Sequence, residues 1–173
     1  MKILVLVICL LLTTDCVAAG ASAKPAESQD VRSVMAEIQK ALDESVEATR
    51  TKDIERYMQY IPADMALHDK ESRNTMSRDD VRRDVLQQWS IIKDTILIFN
   101  RIDHIEVQGD TAIVWTSQRW ERNMYERDGK TIDYVVTTQK HREEWRRVHG
   151  HWENHTVQEL GGEIFINGKP YQE

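Results

Sequence analysis

Three histidines, His149, His151 and His155, form a His-x-His-x-x-x-His string, the densest run of metal-ligating side chains in the sequence. On a strand, residues 151 and 155 share a face, so two imidazoles converge on one side. A zinc site needs three or four ligands. His149 lies across the Gly150 turn and no acid is placed as a third ligand. The string therefore reads as solvent-facing or hydrogen-bonded histidines, and no metal is expected. The sharper candidate is Asp69, which ends 65–69, a segment that reads as a short strand. A carboxylate facing an apolar cavity loses hydration, so its pKa rises and it becomes a usable proton shuttle near neutral pH. The competing role is local: Asp69 caps a turn with Lys70 and Ser72. His68 would point to the opposite side of the strand, so one of the two at most faces a cavity.

Aromatic residues supply apolar walls. Trp115 and Trp120 lie five apart on one predicted strand and cannot both face inward without a bulge. On the next strand Val135, Thr137, Gln139 and His141 alternate on one side, a mixed wall suited to a small organic ligand with one or two polar groups. Tyr57, Trp89, Trp115, Tyr134 and Gln139 are taken as ligand-contacting candidates, with His141 as a weaker partner for chemistry. The sequence holds no phosphate loop, no Gly-x-Ser-x-Gly elbow and no dinucleotide fingerprint, and no cofactor is implied.

The elements that must position these groups follow from periodicity. Residues 1–23 read as a signal peptide: Lys2, then ten uninterrupted apolar residues at 3–12, then small residues ending in Ala21-Ser22-Ala23. Ten is too few to span a bilayer, which takes about 20, so no stable membrane anchor is expected after cleavage and the mature chain is expected to be exported, periplasmic or secreted. Both cysteines, Cys9 and Cys16, lie in this leader. A mature chain without thiols excludes thiol nucleophiles, thiolate metal sites and disulfides. The net charge of −6 survives cleavage, because Lys2 and Asp15 cancel. Such mixed, mildly acidic charge gives no reason to expect nucleic acid as partner.

Residues 24–30 are polar and read as a flexible lead-in. Val31, Val34, Met35, Ile38, Leu42, Val46 and Thr49 recur at helical spacing. Ile54, Tyr57, Met58 and Ile61 mark a shorter helix that Pro62 stops. The segment 70–76 is polar and loop-like. Ser77-x-x-Asp80 resembles a capping box opening a third helix lined by Val81, Val85, Trp89 and Ile92. The period then changes to two, and 96–107, 111–126, 131–149 and 152–160 read as strands separated by Gly109-Asp110, Asp128-Gly129 and Gly150. Three helices before a four-stranded antiparallel meander make an α+β domain over 31–160. Strands this long must bend, and a bent sheet with helices across its concave side forms a cone-shaped pocket. Residues 161–173 read as a tail or small hairpin. Asn154-His155-Thr156 matches a glycosylation acceptor.

The order of Lys52-Asp53-Ile54-Glu55-Arg56-Tyr57-Met58, Asp64-Met65-Ala66-Leu67-His68-Asp69, Ser77-Arg78-Asp79-Asp80-Val81-Arg82, Gly109-Asp110-Thr111-Ala112-Ile113-Val114 and the hairpin from Trp145 to Trp152 is similar to that of the nuclear transport factor two-like superfamily, which includes ketosteroid isomerase. The chain resembles a SnoaL-like member over 31–160. The resemblance implies that Asp69 occupies the place of the isomerase general base. The isomerases also use a tyrosine on the first helix, which here falls near Ser45, and a protonated acid on the sheet, which falls near His141 to Glu143. The first helix has no tyrosine, so Tyr57 or Tyr60 would have to serve, and steroid isomerisation is not expected. The resemblance also implies a homodimer through the outer sheet face. Three functions follow as expectations: a pocket protein for a small, mostly apolar molecule; a cofactor-independent acid–base enzyme (isomerase, dehydratase or hydrolase) using Asp69; or a dimeric interaction module.

Overall fold

The computed structural model describes residues 30–68 and 73–171. Helix α1 (Val31–Thr51) begins at Asp30, whose side chain accepts from the Arg32 N–H, and ends at Lys52 in the left-handed region (φ 56°). Val34, Ile38, Ala41 and Leu42 form its buried stripe. The shorter helix α2 (Ile54–Tyr57) is capped by Asp53 and runs into a 3₁₀ turn (Met58–Tyr60) before Pro62. Strands β1 (Asp64–His68) and β2 (Arg73–Ser77) precede α3 (Arg78–Ile91). Ser77 and Asp80 make the full reciprocal capping box. Four long strands follow: β3 (Ile92–Gln108), β4 (Thr111–Tyr125), β5 (Ile132–Val148) and β6 (His151–Ile166), with a short β7 (Lys169–Pro170).

The sheet runs β2-β1-β6-β5-β4-β3, with β7 on β6. The pairs β3–β4, β4–β5 and β5–β6 are antiparallel, whereas β1 lies parallel to β6. The α+β class and the helices on the concave side match the expectation. Seven strands replace the four main strands and one short extra strand expected. The segment read as loop at 70–76 supplies β2, because Arg73 to Ser77 pair with His68 to Asp64. That pairing, and no pattern in its polar side chains, makes it a strand. The β5–β6 pairing also continues past residue 160, through Gly161 and Gly162 to Ile166, and Lys169 and Pro170 turn back to pair with Ile166 and Phe165 as a small hairpin.

Register shifts bend the sheet. Three fall along β3–β4, and two along β5–β6 near Lys140/His141 and Glu144/Trp145. The edge strand β3 is covered in part by α1. Gln39 donates from Nε2 to the Asn100 carbonyl (2.8 Å) and accepts at Oε1 from the Ile102 N–H (3.0 Å).

The core is divided in three. Val34, Ile38, Ala41 and Leu42 pack on Ala112, Val114, Trp145 and Trp152. Met58, Ile61, Met65 and Val81 form a second cluster. Trp89, Ile92, Ile98 and Trp120 form a third. The three helices do not fill the concave side of the curved sheet, and the space left between the clusters is a cavity of about 570 Å³, to which all three clusters contribute wall residues.

Candidate functional site: a cavity between helices and sheet

Alternation on the strands decides who enters the cavity. On β5 the odd residues Thr137, Gln139, His141, Glu143 and Trp145 face in. On β4 Gln118, Trp120 and Arg122 do so. Helices close the opposite side with Leu42, Ser45, Tyr57 and Trp89. The Tyr57 and Trp89 rings meet edge to face at 5.7 Å, which fixes both against the cavity.

Glu143 is a buried, fully partnered carboxyl in the cavity wall. It is 3% exposed and receives three hydrogen bonds. Thr116 Oγ1 donates to Oε1 (2.9 Å), while Trp145 Nε1 and Asn154 Nδ2 both donate to Oε2 (2.8 Å each). Burial pushes its carboxyl pKa up, and the three donors oppose that rise without cancelling it. Asn154 Oδ1 is buried without a partner. With the amide turned over, Oδ1 would accept from a protonated Glu143, so the same side chain can serve either protonation state.

Two other titratable groups share the space. Burial raises the Tyr57 hydroxyl pKa, and the nearby Glu143 charge adds to the rise. Burial lowers the His141 pKa against the opposing pull of Glu159, which holds its imidazole neutral at pH 7. The site therefore offers a neutral base, a phenol donor and a carboxyl that resists ionisation. No hydrogen bond joins these three among the described residues.

Of the expected site residues, Tyr57, Trp89, Gln139 and His141 line the cavity. Trp115 and Tyr134 do not. Trp115 lies on the outer face, 5.0 Å from the His104 ring and with the Arg142 guanidinium 5.9 Å above it. Tyr134, also on the outer face, donates its hydroxyl to Glu121. Strand parity explains both: Trp115 is opposite in parity to the inward Trp120, and Tyr134 to the inward Val135. Asp69 lies outside the described residues.

His151 and His155 approach the two oxygens of Glu153 at 3.1 and 3.3 Å. No three His, Cys, Asp or Glu side chains converge on a metal position among the described residues. Asn154, read as a glycosylation acceptor, spends its amide on Glu143 and lines the cavity.

Arg122 and Asn154 were not foreseen as site residues. A signal for Arg122 exists in the sequence: it shares the parity of Ala112, Val114, Thr116, Gln118 and Trp120, a cation on an otherwise apolar or neutral face. Asn154 carries a similar signal, since it shares the parity of the inward Trp152 two residues before it and the register shift at Glu144/Trp145 falls after it.

A curved, unclosed sheet holding helices on its concave side has the nuclear transport factor 2-like cone fold. Solved structures of the same shape include LinA (TM-score 0.64, 13% identity, covering 82% of this chain and 95% of that one). Another is the Kfla4162 protein from Kribbella flavida (TM-score 0.65, 13% identity, 78% and 95%). A third is a nuclear transport factor 2 (NTF2-like) superfamily protein from Salmonella enterica serovar Typhimurium (TM-score 0.60, 13% identity, 76% and 93%). At these identities the likeness establishes the fold. No family profile and no curated protein matches the sequence.

Proposed function

We propose that this chain is an exported pocket protein that binds a small, mostly apolar molecule inside the cone. One observation carries the reading. The cavity of about 570 Å³ has the size of ligand pockets, and its walls combine Trp89, Trp120, Tyr57 and Ile98 with a few fixed polar groups. Export is supported by the leader pattern at 1–23. A partner copy is assigned to the outer sheet face, where Leu97 and Phe99 are exposed. Sedimentation should then show a dimer that Phe99→Asp dissociates, and a wild-type monomer would remove that assignment.

The test of binding is a thermal-shift screen with one- and two-ring aromatic and alicyclic compounds. Stabilisation by one chemical class is expected, and it should vanish when Ser45→Trp fills the cavity. A flat screen counts against the reading.

A second reading, acid–base catalysis, is favoured by one feature: His141 and Glu143 stand two residues apart on the same strand face of one cavity. In that reading His141 takes the proton, and Glu143 or Tyr57 stabilises the oxygen that gains charge. Turnover of a bound compound lost in His141→Gln, with binding retained, would support it. Unchanged turnover in that variant would remove His141 from the mechanism.

A further inference from the structure

Arg122 faces inward near the end of β4 and is only 8% exposed. Its Cζ lies 4.2 Å over the Trp120 ring. Nη1 donates to Thr137 Oγ1 (2.9 Å) and, less well, to the Trp120 carbonyl (3.4 Å), while Nε meets Met124 Sδ at 3.2 Å. None of these partners carries a charge, and Nη2 donates to nothing among the described residues. Arg56, Arg82, Arg119 and Arg147, by contrast, each meet a glutamate.

A buried guanidinium without a counter-ion is strongly unfavourable. Proteins retain such a group where something neutralises it. Burial lowers the Arg122 pKa to about 10, which leaves it cationic at neutral pH. The cavity's buried acid cannot serve as its partner. Thr137, which holds Arg122, and Glu143 are six residues apart on β5, roughly 20 Å of strand at about 3.3 Å per residue. The cavity is thus polarised, with a cation at one end and a carboxyl that resists ionisation at the other. Between them Asn100 Oδ1 lines the same space, buried and without a donor.

Resting on the pocket reading above, we propose that the ligand is a small ring-bearing organic carboxylate, its charged end on the free Nη2 edge of Arg122 and its ring against Trp120 and Trp89. A planar carboxylate matches the guanidinium edge. The two tryptophans belong to one packed cluster beside it, which gives the ring a preformed apolar bed. A hydroxyl or N–H on the ligand body would meet Asn100 Oδ1.

The test compares 1-naphthylacetate with 1-naphthylacetamide, neutral and nearly identical in shape, by titration calorimetry at pH 7.5 with the purified protein. The carboxylate should bind wild type at least tenfold tighter than the amide. Arg122→Gln should weaken only the carboxylate and bring the two within threefold, and Arg122→Lys should keep part of the difference. Equal binding of both compounds to wild type leaves the pocket standing and overturns the anion anchor, whatever the variants do. Equal weakening of both by Arg122→Gln also overturns it, and makes Arg122 a wall held by Trp120 and Thr137. If neither compound binds wild type, the pocket reading fails for ring-sized apolar bodies and this inference fails with it.

Discussion

Replacing Glu143 separates its charge from its shape. Glutamine keeps the outline: its Oε1 can accept from Trp145 and Asn154, and its amide can donate to Thr116, whose hydroxyl rotates to accept. Leucine leaves all three donors without an acceptor. At about 1–3 kcal/mol for each orphaned buried group the sum is roughly 3–9 kcal/mol, a large part of a total stability of about 5–15 kcal/mol. Glu143→Leu should therefore be unfolded or severely destabilised at every pH.

The glutamine variant tests the charge. Because burial raises the folded pKa above the ordinary 4.5, the folded chain holds a proton that the unfolded chain has released. Wild-type stability from this group is complete below pH 4.5 and is lost as pH rises through the folded pKa. Each unit of rise is worth about 1.4 kcal/mol. Glu143→Gln has no such loss. Urea unfolding followed by tryptophan fluorescence from pH 4.5 to 9 should give nearly equal stabilities at the acid end. At the alkaline end the variant should be the more stable of the two, because it has no proton to lose. Parallel curves, or a gap that widens on acidification, would refute the argument that desolvation outweighs the three hydrogen bonds.

Other perturbations report on neighbouring parts. A Cβ at Gly162 would stand 2.3 Å from the Thr138 carbonyl oxygen and 3.1 Å from Gln139 Cγ. Gly162→Ala should therefore cost about 1–3 kcal/mol in urea unfolding, and an unchanged midpoint would contradict the close approach of β5 and β6. Ser77→Ala removes the capping box at α3 and should cost about 1 kcal/mol, read in the same assay. His141, held below the ordinary 6.5 by burial, resists a proton that the unfolded chain accepts. Stability should fall as pH drops below 6.5, opposite in sign to Glu143, and His141→Gln should lose that slope. An NMR titration placing the His141 pKa at or above 6.5 would contradict its burial.

Much of this arrangement is legible in the residues, for identifiable reasons. The 3.6-residue stripe of α1, the Ser77–Asp80 cap and the glycines between long alternating runs each encode local structure without help from elsewhere. Strand β2 does not, since a polar edge strand is defined by its partner. Strand β3 begins at Ile92, four residues before the run expected at 96, because no breaker separates it from α3: Ile92 turns extended (φ −83°, ψ 120°) as the helix ends.

At the site, alternation ties residues to one face without saying which face is inner. Once Val135, Thr137, Gln139 and His141 are taken as the wall, Tyr134 must point away, a constraint already present in the sequence. Glu143 shares that parity, within the His141–Glu143 stretch where the family resemblance puts the sheet acid. Its three donors come from β4, β5 and β6, and only the register brings them together.

The proposed function requires the space between the three helices and the sheet to be a binding site. Titrating 1-naphthylacetate into wild type and into a folded Ser45→Trp variant tests it most directly, because Ser45 lines the cavity and tryptophan there occupies it. Saturable one-site binding to wild type and none to the variant is the expected result. No saturable binding to wild type, or undiminished binding to a variant whose cavity is filled, would contradict it.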